Sequence, residues 1–292
     1  MFFRILEILF PVLSIIAIGT LYGRFRRPDM LAANQLNMDL FVPALVFAAL
    51  ASKDFHVMAY LPLAAAATAV VLGSGLLAWP VARLLGLDWR TFVPPMMFNN
   101  TGNMGIPVMV LAFGSQWLPG AVIVFLVEMV LHFSLGLWML DHKTKLFALF
   151  KQPVILATIL GLVVSLGQIS LPAPLQIALK MLGDISIPLM LFALGVRMAG
   201  ISFADWKIGV IGGILCPLSG AVVAGLWLQA FPLPPMQEAL LWVFAVLPPA
   251  VLNYLVAERY QQEPARVASI VLIGNSLSVF SLAIVLYLVL PH

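Results

Sequence analysis

The sequence predicts an all-α integral membrane fold: ten transmembrane helices in an inverted 5+5 repeat, with spans 4 and 9 broken. Three observations carry this: an apolar composition, a proline–asparagine motif that occurs twice, and basic residues sorted to alternate connections. The chain of 292 residues is 63% hydrophobic and 9% charged, against about 45–50% and about 25% in soluble domains. A soluble fold of this size has too little polar surface to cover so much apolar material. The formal charge of +3 is spread between apolar runs, which argues against a nucleic-acid partner. One cysteine, Cys216, gives neither a disulfide framework nor a zinc site, and no cofactor is implied. No small-residue cleavage site ends the long first apolar run, so no cleavable signal peptide is expected.

Spans of about 20 apolar residues fall at roughly 5–23, 31–51, 58–80, 92–114, 118–140, 153–169, 176–196, 207–229, 239–258 and 267–290. Connections are short, so residues 1–292 read as a single transmembrane domain. The basic linker from Asp141 to Gln152 joins two five-span repeats, 1–141 and 153–292.

Two spans carry an interruption that hydrocarbon should exclude. Pro94-Pro95-Met96-Met97-Phe98-Asn99-Asn100 lies in the fourth, and Pro248-Pro249-Ala250-Val251-Leu252-Asn253-Tyr254 in the ninth. Proline removes a backbone donor, and no water is present to repair the loss. Paired interruptions at corresponding points of two halves point to the binding site of a secondary transporter. Other matches support the duplication. Asp39, Pro43, Phe47 and Ala48 recur in register as Asp184, Pro188, Phe192 and Ala193, and Pro11, Val12 and Gly19 as Pro153, Val154 and Gly161.

Five spans per copy is odd, so the second copy crosses the membrane the opposite way. With the N-terminus outside, the cytoplasmic connections hold Arg24, Arg26, Arg27, Arg83, Arg90, Lys143, Lys145, Lys151, Arg197, Lys207, Arg259 and Arg266. The outer side holds Arg4 and Lys53. The positive-inside rule therefore places both termini outside.

This orientation brings the N-termini of the two second half-helices to mid-depth from opposite sides. Each presents unpaired N–H groups and about half a positive charge, an anion site that needs no buried lysine or arginine. Asn99, Asn100, Thr101, Asn103, Asn253 and Tyr254 are the candidate substrate-binding residues beside it. Gly102, Gly105 and Pro107 are expected to keep the backbone extended and close to a ligand. The alternative is a pair of proline kinks whose asparagines cap freed backbone groups.

Ionisable residues within spans are costly and are candidates for proton or ion coupling. Asp39 and Asp184 hold equivalent repeat positions, and Lys180 stands one turn before Asp184, where it can pair with it. Glu128 and His132 share a face of span five, and form either a proton-carrying pair or a static hydrogen-bonded one. Glu258 and Arg259 end span nine as interfacial anchors. No HExxH, GxSxG or GxxxxGK[ST] pattern is present, so neither a membrane enzyme nor an ATP-driven pump is expected.

Phe98-Asn99-Asn100-Thr101-Gly102-Asn103-Met104-Gly105-Ile106-Pro107 resembles the crossover motif of the auxin efflux carrier family. Leu247 to Tyr254 resembles its second crossover, and Leu36–Phe47 and Leu182–Gly195 its second and seventh spans. The chain resembles the short bacterial members, often described as malate or malonate permeases. The resemblance implies a bile-acid/sodium symporter-like fold with the two broken helices crossing. Spans one, two, six and seven would form a dimerising scaffold, and the other six a mobile domain. It also implies a bacterial inner-membrane protein with a small organic anion as partner, and H+ or Na+ as the candidate coupling ion. Leu252 stands where many relatives would carry a second polar residue, so the two arms are not equivalent. A sodium-coupled symporter of the bile-acid type and an anion channel are the alternative functions.

Overall fold

The computed structural model describes residues 1–52, 55–142, 152–200 and 205–290. Lys53, Lys143, Lys145 and Lys151, used above to orient the chain, lie outside the described residues, as does most of the central linker. Among the described residues the regular structure is helical. The one β feature is an isolated antiparallel bridge between Asn99 and Pro249.

Helix α1 (Phe2–Arg26) is followed by α2 (Leu31–Leu36), which passes through a π turn (Asn37–Phe41) into α3 (Val42–Leu50). Next come α4 (Val57–Leu84), α5 (Trp89–Met97), a second π turn (Thr101–Gly105) and α6 (Ile106–Phe113). Helix α7 (Leu118–Leu131) runs through a third π turn (His132–Gly136) into α8 (Leu137–Leu140). The second half holds α9 (Pro153–Leu166), α10 (Ala173–Met198), α11 (Trp206–Ala230), α12 (Pro235–Ala245), α13 (Val251–Arg259) and α14 (Pro264–Val289).

Among the described residues, seven helical stretches are long and apolar enough to cross a bilayer: Phe2–Arg26, Leu31–Leu50, Val57–Leu84, Ser115–Leu140, Ala173–Met198, Trp206–Ala230 and Pro264–Val289. They coincide with the expected spans one, two, three, five, seven, eight and ten. The other three expected spans are shorter or broken. Pro153–Leu166 has 14 residues and gives way to Gln168, whose φ is 50°. Spans four and nine are each divided into two short helices.

The helices pack in two sets. Helix α1 lies along α10, and α3 packs on both α9 and α10, while α4, α5, α11, α12, α13 and α14 pack on one another. Lipid tails are as apolar as leucine, so close backbone approach does much of the work of association. Gly19 and Gly195 illustrate it: a methyl on Gly19 would overlap the Phe192 carbonyl oxygen, and one on Gly195 that of Ile16. Of the seven long helices α14 is the most enclosed, with 61% of its apolar window buried against 28% for α1.

The two interruptions differ in detail. Helix α5 starts at Asp88, whose Oδ1 accepts the Arg90 amide at 2.8 Å. Pro94 and Pro95 lie inside its end, and the helix stops at Met97 with Phe98 extended. In the second interruption α12 ends before the prolines, and Pro248 and Pro249 lie in the linking stretch ahead of α13. The extended backbone expected to run through Gly102 and Gly105 to Pro107 instead stops at Asn100. Gly102 and Gly105 are inside a π turn, and Pro107 sits in the first turn of α6.

Candidate substrate cavity at the interrupted helices

The two extended stretches meet. The Asn100 amide donates to the Pro248 carbonyl at 2.7 Å, and the Ala250 amide to Phe98 at 2.8 Å. Each interruption thereby satisfies backbone groups that the other's prolines leave open.

Side chains complete the crossing. Asn99 Nδ2 donates to the Phe244 carbonyl at 3.0 Å, and Asn253 Nδ2 to Phe98 at 2.9 Å and Ala250 at 3.0 Å. Asn100 Nδ2 donates to Asn275 Oδ1 on α14 at 2.8 Å, and Asn275 Nδ2 donates to the Pro249 carbonyl at 2.9 Å. These buried amides serve the backbone of the crossing, as the capping alternative requires.

A cavity of about 350 Å³ opens beside this crossing. Thr101, Gly102 and Asn103 open the helix after the first interruption and line it. Ala250, Val251 and Leu252, at the start of α13, line it too. First-turn residues of both second half-helices therefore border one space, and helix N-termini favour an anion. The remaining wall is mixed: Met38, Val42, Phe125, Met129, Phe133 and Met190 are apolar, and Asn34, Asn37, Glu128, His132 and Arg197 are polar or charged.

All three π turns contribute to this wall, through Asn37 and Met38, through Thr101 to Asn103, and through His132 and Phe133. Such turns insert an extra residue into a helix and often mark functional sites. Asn37 is 5% exposed, and its Oδ1 has no hydrogen-bond partner.

Glu128 and His132 both line the cavity but are not bonded to each other. The Thr101 hydroxyl donates to Glu128 Oε2, and the Asn99 amide also donates to this carboxyl. The His132 ring stacks on Phe98 with centroids 4.2 Å apart and planes 10° from parallel.

Several expected site residues lie elsewhere. Asn253 and Tyr254 are not in the cavity wall; the Tyr254 hydroxyl donates to Glu258 at 2.9 Å. Asp39 is exposed on its π turn. Lys180 and Asp184 pair at 2.7 Å on an exposed face of α10, away from the cavity.

Sequence reasoning missed Asn34, Asn37, Asn275 and Arg197. Arg197 had been assigned to a cytoplasmic connection, yet it lies in the last turn of α10 and is the one cation in the cavity wall. Side chains tilt toward a helix's N-terminus, so an arginine at this end reaches back along its span. An arginine inside the helix end of an apolar span was the signal available for it.

Residues 135–286, just over half of the chain, match the family described as membrane transport protein. The chain belongs to that family. The resemblance to auxin efflux carriers and malate permeases, drawn from the crossover residues, is thus borne out. The matched stretch of this membrane transport protein contains the second interruption and most of α14, and excludes the first crossover motif at Phe98–Pro107. Among the curated proteins compared, none matches the chain.

Proposed function

We propose that the chain is a secondary active transporter that moves a small organic anion across the membrane by alternating access. The substrate class is a mono- or dicarboxylate, auxin-like or malate/malonate-like. One observation carries the reading: Arg197 and the first-turn residues of two helices border one cavity of about 350 Å³, within the usual size range of small-molecule sites. An arginine offers a carboxylate two parallel hydrogen bonds, and the helix ends add donors without a further buried charge.

The fold belongs to the same proposal. Seven long helices, α9 and the two divided helices together make ten spans in two inverted copies, with both termini outside the bacterial inner membrane. Helices α1, α2–α3, α9 and α10 form the scaffold, through which two copies dimerise, and the remaining helices move against it. Asn34, Asn37 and Arg197 come from the scaffold side and Asn100 to Asn103 from the other. Relative motion of the two sets would open the cavity first to one face and then to the other. H+ or Na+ is the candidate coupling ion.

Uptake of radiolabelled malate, malonate and indole-3-acetate into proteoliposomes tests the proposal. Saturable uptake is expected, with KM raised at least tenfold by Arg197→Gln. Unsaturable anion conductance would instead identify a channel. Uptake that needs sodium would favour the bile-acid type of symport.

A further inference from the structure

Glu128 is the one carboxyl group in the cavity wall and is 4% exposed. Its partners are neutral: the Thr101 hydroxyl and the Asn99 amide. Thr101 opens the helix that follows the first interruption, where partial positive charge favours an anion, and Asn99 lies in the extended stretch just before it. No lysine, arginine or histidine nitrogen forms an ion pair with it among the described residues. A carboxylate on a tether therefore occupies the kind of place that a carboxylate substrate would seek.

We propose that Glu128 is a built-in competitor of the transported anion, and that its protonation admits the substrate. The inference rests on reading the cavity as an anion site. Two carboxylates in one small cavity repel, and the pair is relieved when one takes a proton. A proton taken up by Glu128 from the open side removes the competing charge. The neutral carboxyl then donates its O–H, and the anion takes the helix-end donors and Arg197. After the cavity opens to the opposite side, the anion leaves, the proton follows, and the carboxylate returns to Thr101 and Asn99. Anion and proton thus travel together, with one proton for each substrate.

Other ionisable groups around Glu128 are few. His132 follows one turn later on the same helix, stacked on Phe98. Arg197 borders the cavity from α10, and Cys216 approaches from α11 behind the crossing, with Sγ 3.4 Å from Asn99 Oδ1. Helices α3 and α6, which also pack on α7, contain no ionisable residue. The ionisable residues of α4, Tyr60 and Arg83, sit toward its two ends, and Glu238 of α12 bonds Trp242.

Calorimetric titration of the purified protein with malate, malonate and indole-3-acetate, in two buffers of different ionisation enthalpy, counts protons taken up per anion bound. The wild-type protein should take up close to one proton, with affinity falling about tenfold per pH unit above the carboxyl's titration. Glu128→Gln should bind with no proton uptake and with affinity independent of pH. Thr101→Val keeps the carboxyl but removes a donor to its charged form, so the midpoint of the pH profile should move upward. It provides the test if Glu128→Gln does not fold. Wild-type binding without proton uptake overturns the inference, as do unchanged proton uptake in Glu128→Gln and an unmoved profile in Thr101→Val. If Arg197→Gln binds every probe as the wild type does, the cavity reading itself has failed. If Arg197→Gln weakens binding while Glu128→Gln keeps its proton uptake, only the role of Glu128 falls.

Discussion

Asn275 on α14 accepts a hydrogen bond from Asn100 at 2.8 Å and donates one to the Pro249 carbonyl at 2.9 Å, so one buried amide holds both interruptions. Replacing it with a similarly sized apolar side chain, Asn275→Leu, leaves an amide of the first interruption and a carbonyl of the second unpaired in a dry interior. Each such loss costs about 1–3 kcal/mol. Thermal unfolding in detergent should therefore occur several degrees lower. Ser276→Ala, which removes only a bond to the Leu272 carbonyl one turn back, should leave the transition nearly in place.

The asparagines of the crossing separate into two kinds. Asn253 bonds two backbone carbonyls and does not border the cavity. Asn103 borders it, and its side chain hydrogen-bonds no other group among the described residues. Asn253→Ala should lower thermal stability more than it alters substrate affinity. Asn103→Ala should leave the melting transition in place and weaken binding by about 0.5–1.5 kcal/mol, the usual worth of one hydrogen bond. Paired melting and binding curves decide it, and a reversed order would remove Asn103 from the site.

The interruptions were legible because proline and asparagine inside apolar runs violate helix rules whatever their surroundings. Their crossing was expected only from the family resemblance, and the backbone pairing between them was not expected. What stayed hidden depends on rotation and reach. A π turn has no residue signature, yet its extra residue turns the helix face by about 100°. In the first of these turns the sequence singled out Asp39, which is exposed, and passed over Asn37, which is buried. Asn275 follows Gly274, but no proline or repeat match marks it, and only the packing of α14 on α13 and α5 reveals its role. Gly102 and Gly105 follow the first extended stretch, and the local conformation they adopt is helical, not the extended one expected.

Helix α11 depends on close contact with the end of α12. A methyl on Gly220 would overlap the Ala245 carbonyl oxygen, a backbone atom that cannot swing aside. A methyl on Gly225 would only touch the outer edge of the Trp242 ring at 3.4 Å. Gly220→Ala should therefore cost about 1–3 kcal/mol, the usual range for overpacking. Gly225→Ala should be neutral or slightly stabilising through its gain in helix propensity. Melting temperatures of the two variants, in the same detergent, should differ by several degrees. Equal values would mean that α11 and α12 separate easily at this point.

Lys180 and Asp184 carry opposite charges 2.7 Å apart, with side chains 71% and 58% exposed on α10. Their distance from the cavity predicts that Lys180→Gln and Asp184→Asn, singly or together, leave KM and the pH profile of uptake within about twofold of wild type. The stability cycle is more informative, because it reports what covers this face. A pair in water is worth about 0–1 kcal/mol, so a small coupling energy places it at the interface or in an aqueous cleft. A pair held against hydrocarbon or against a second copy of the chain behaves differently. Removing one charge there strands the other, costing about 3–5 kcal/mol, while removing both is nearly neutral. Loss of the dimer on gel filtration with either single variant, restored in the double, would place the pair between two copies.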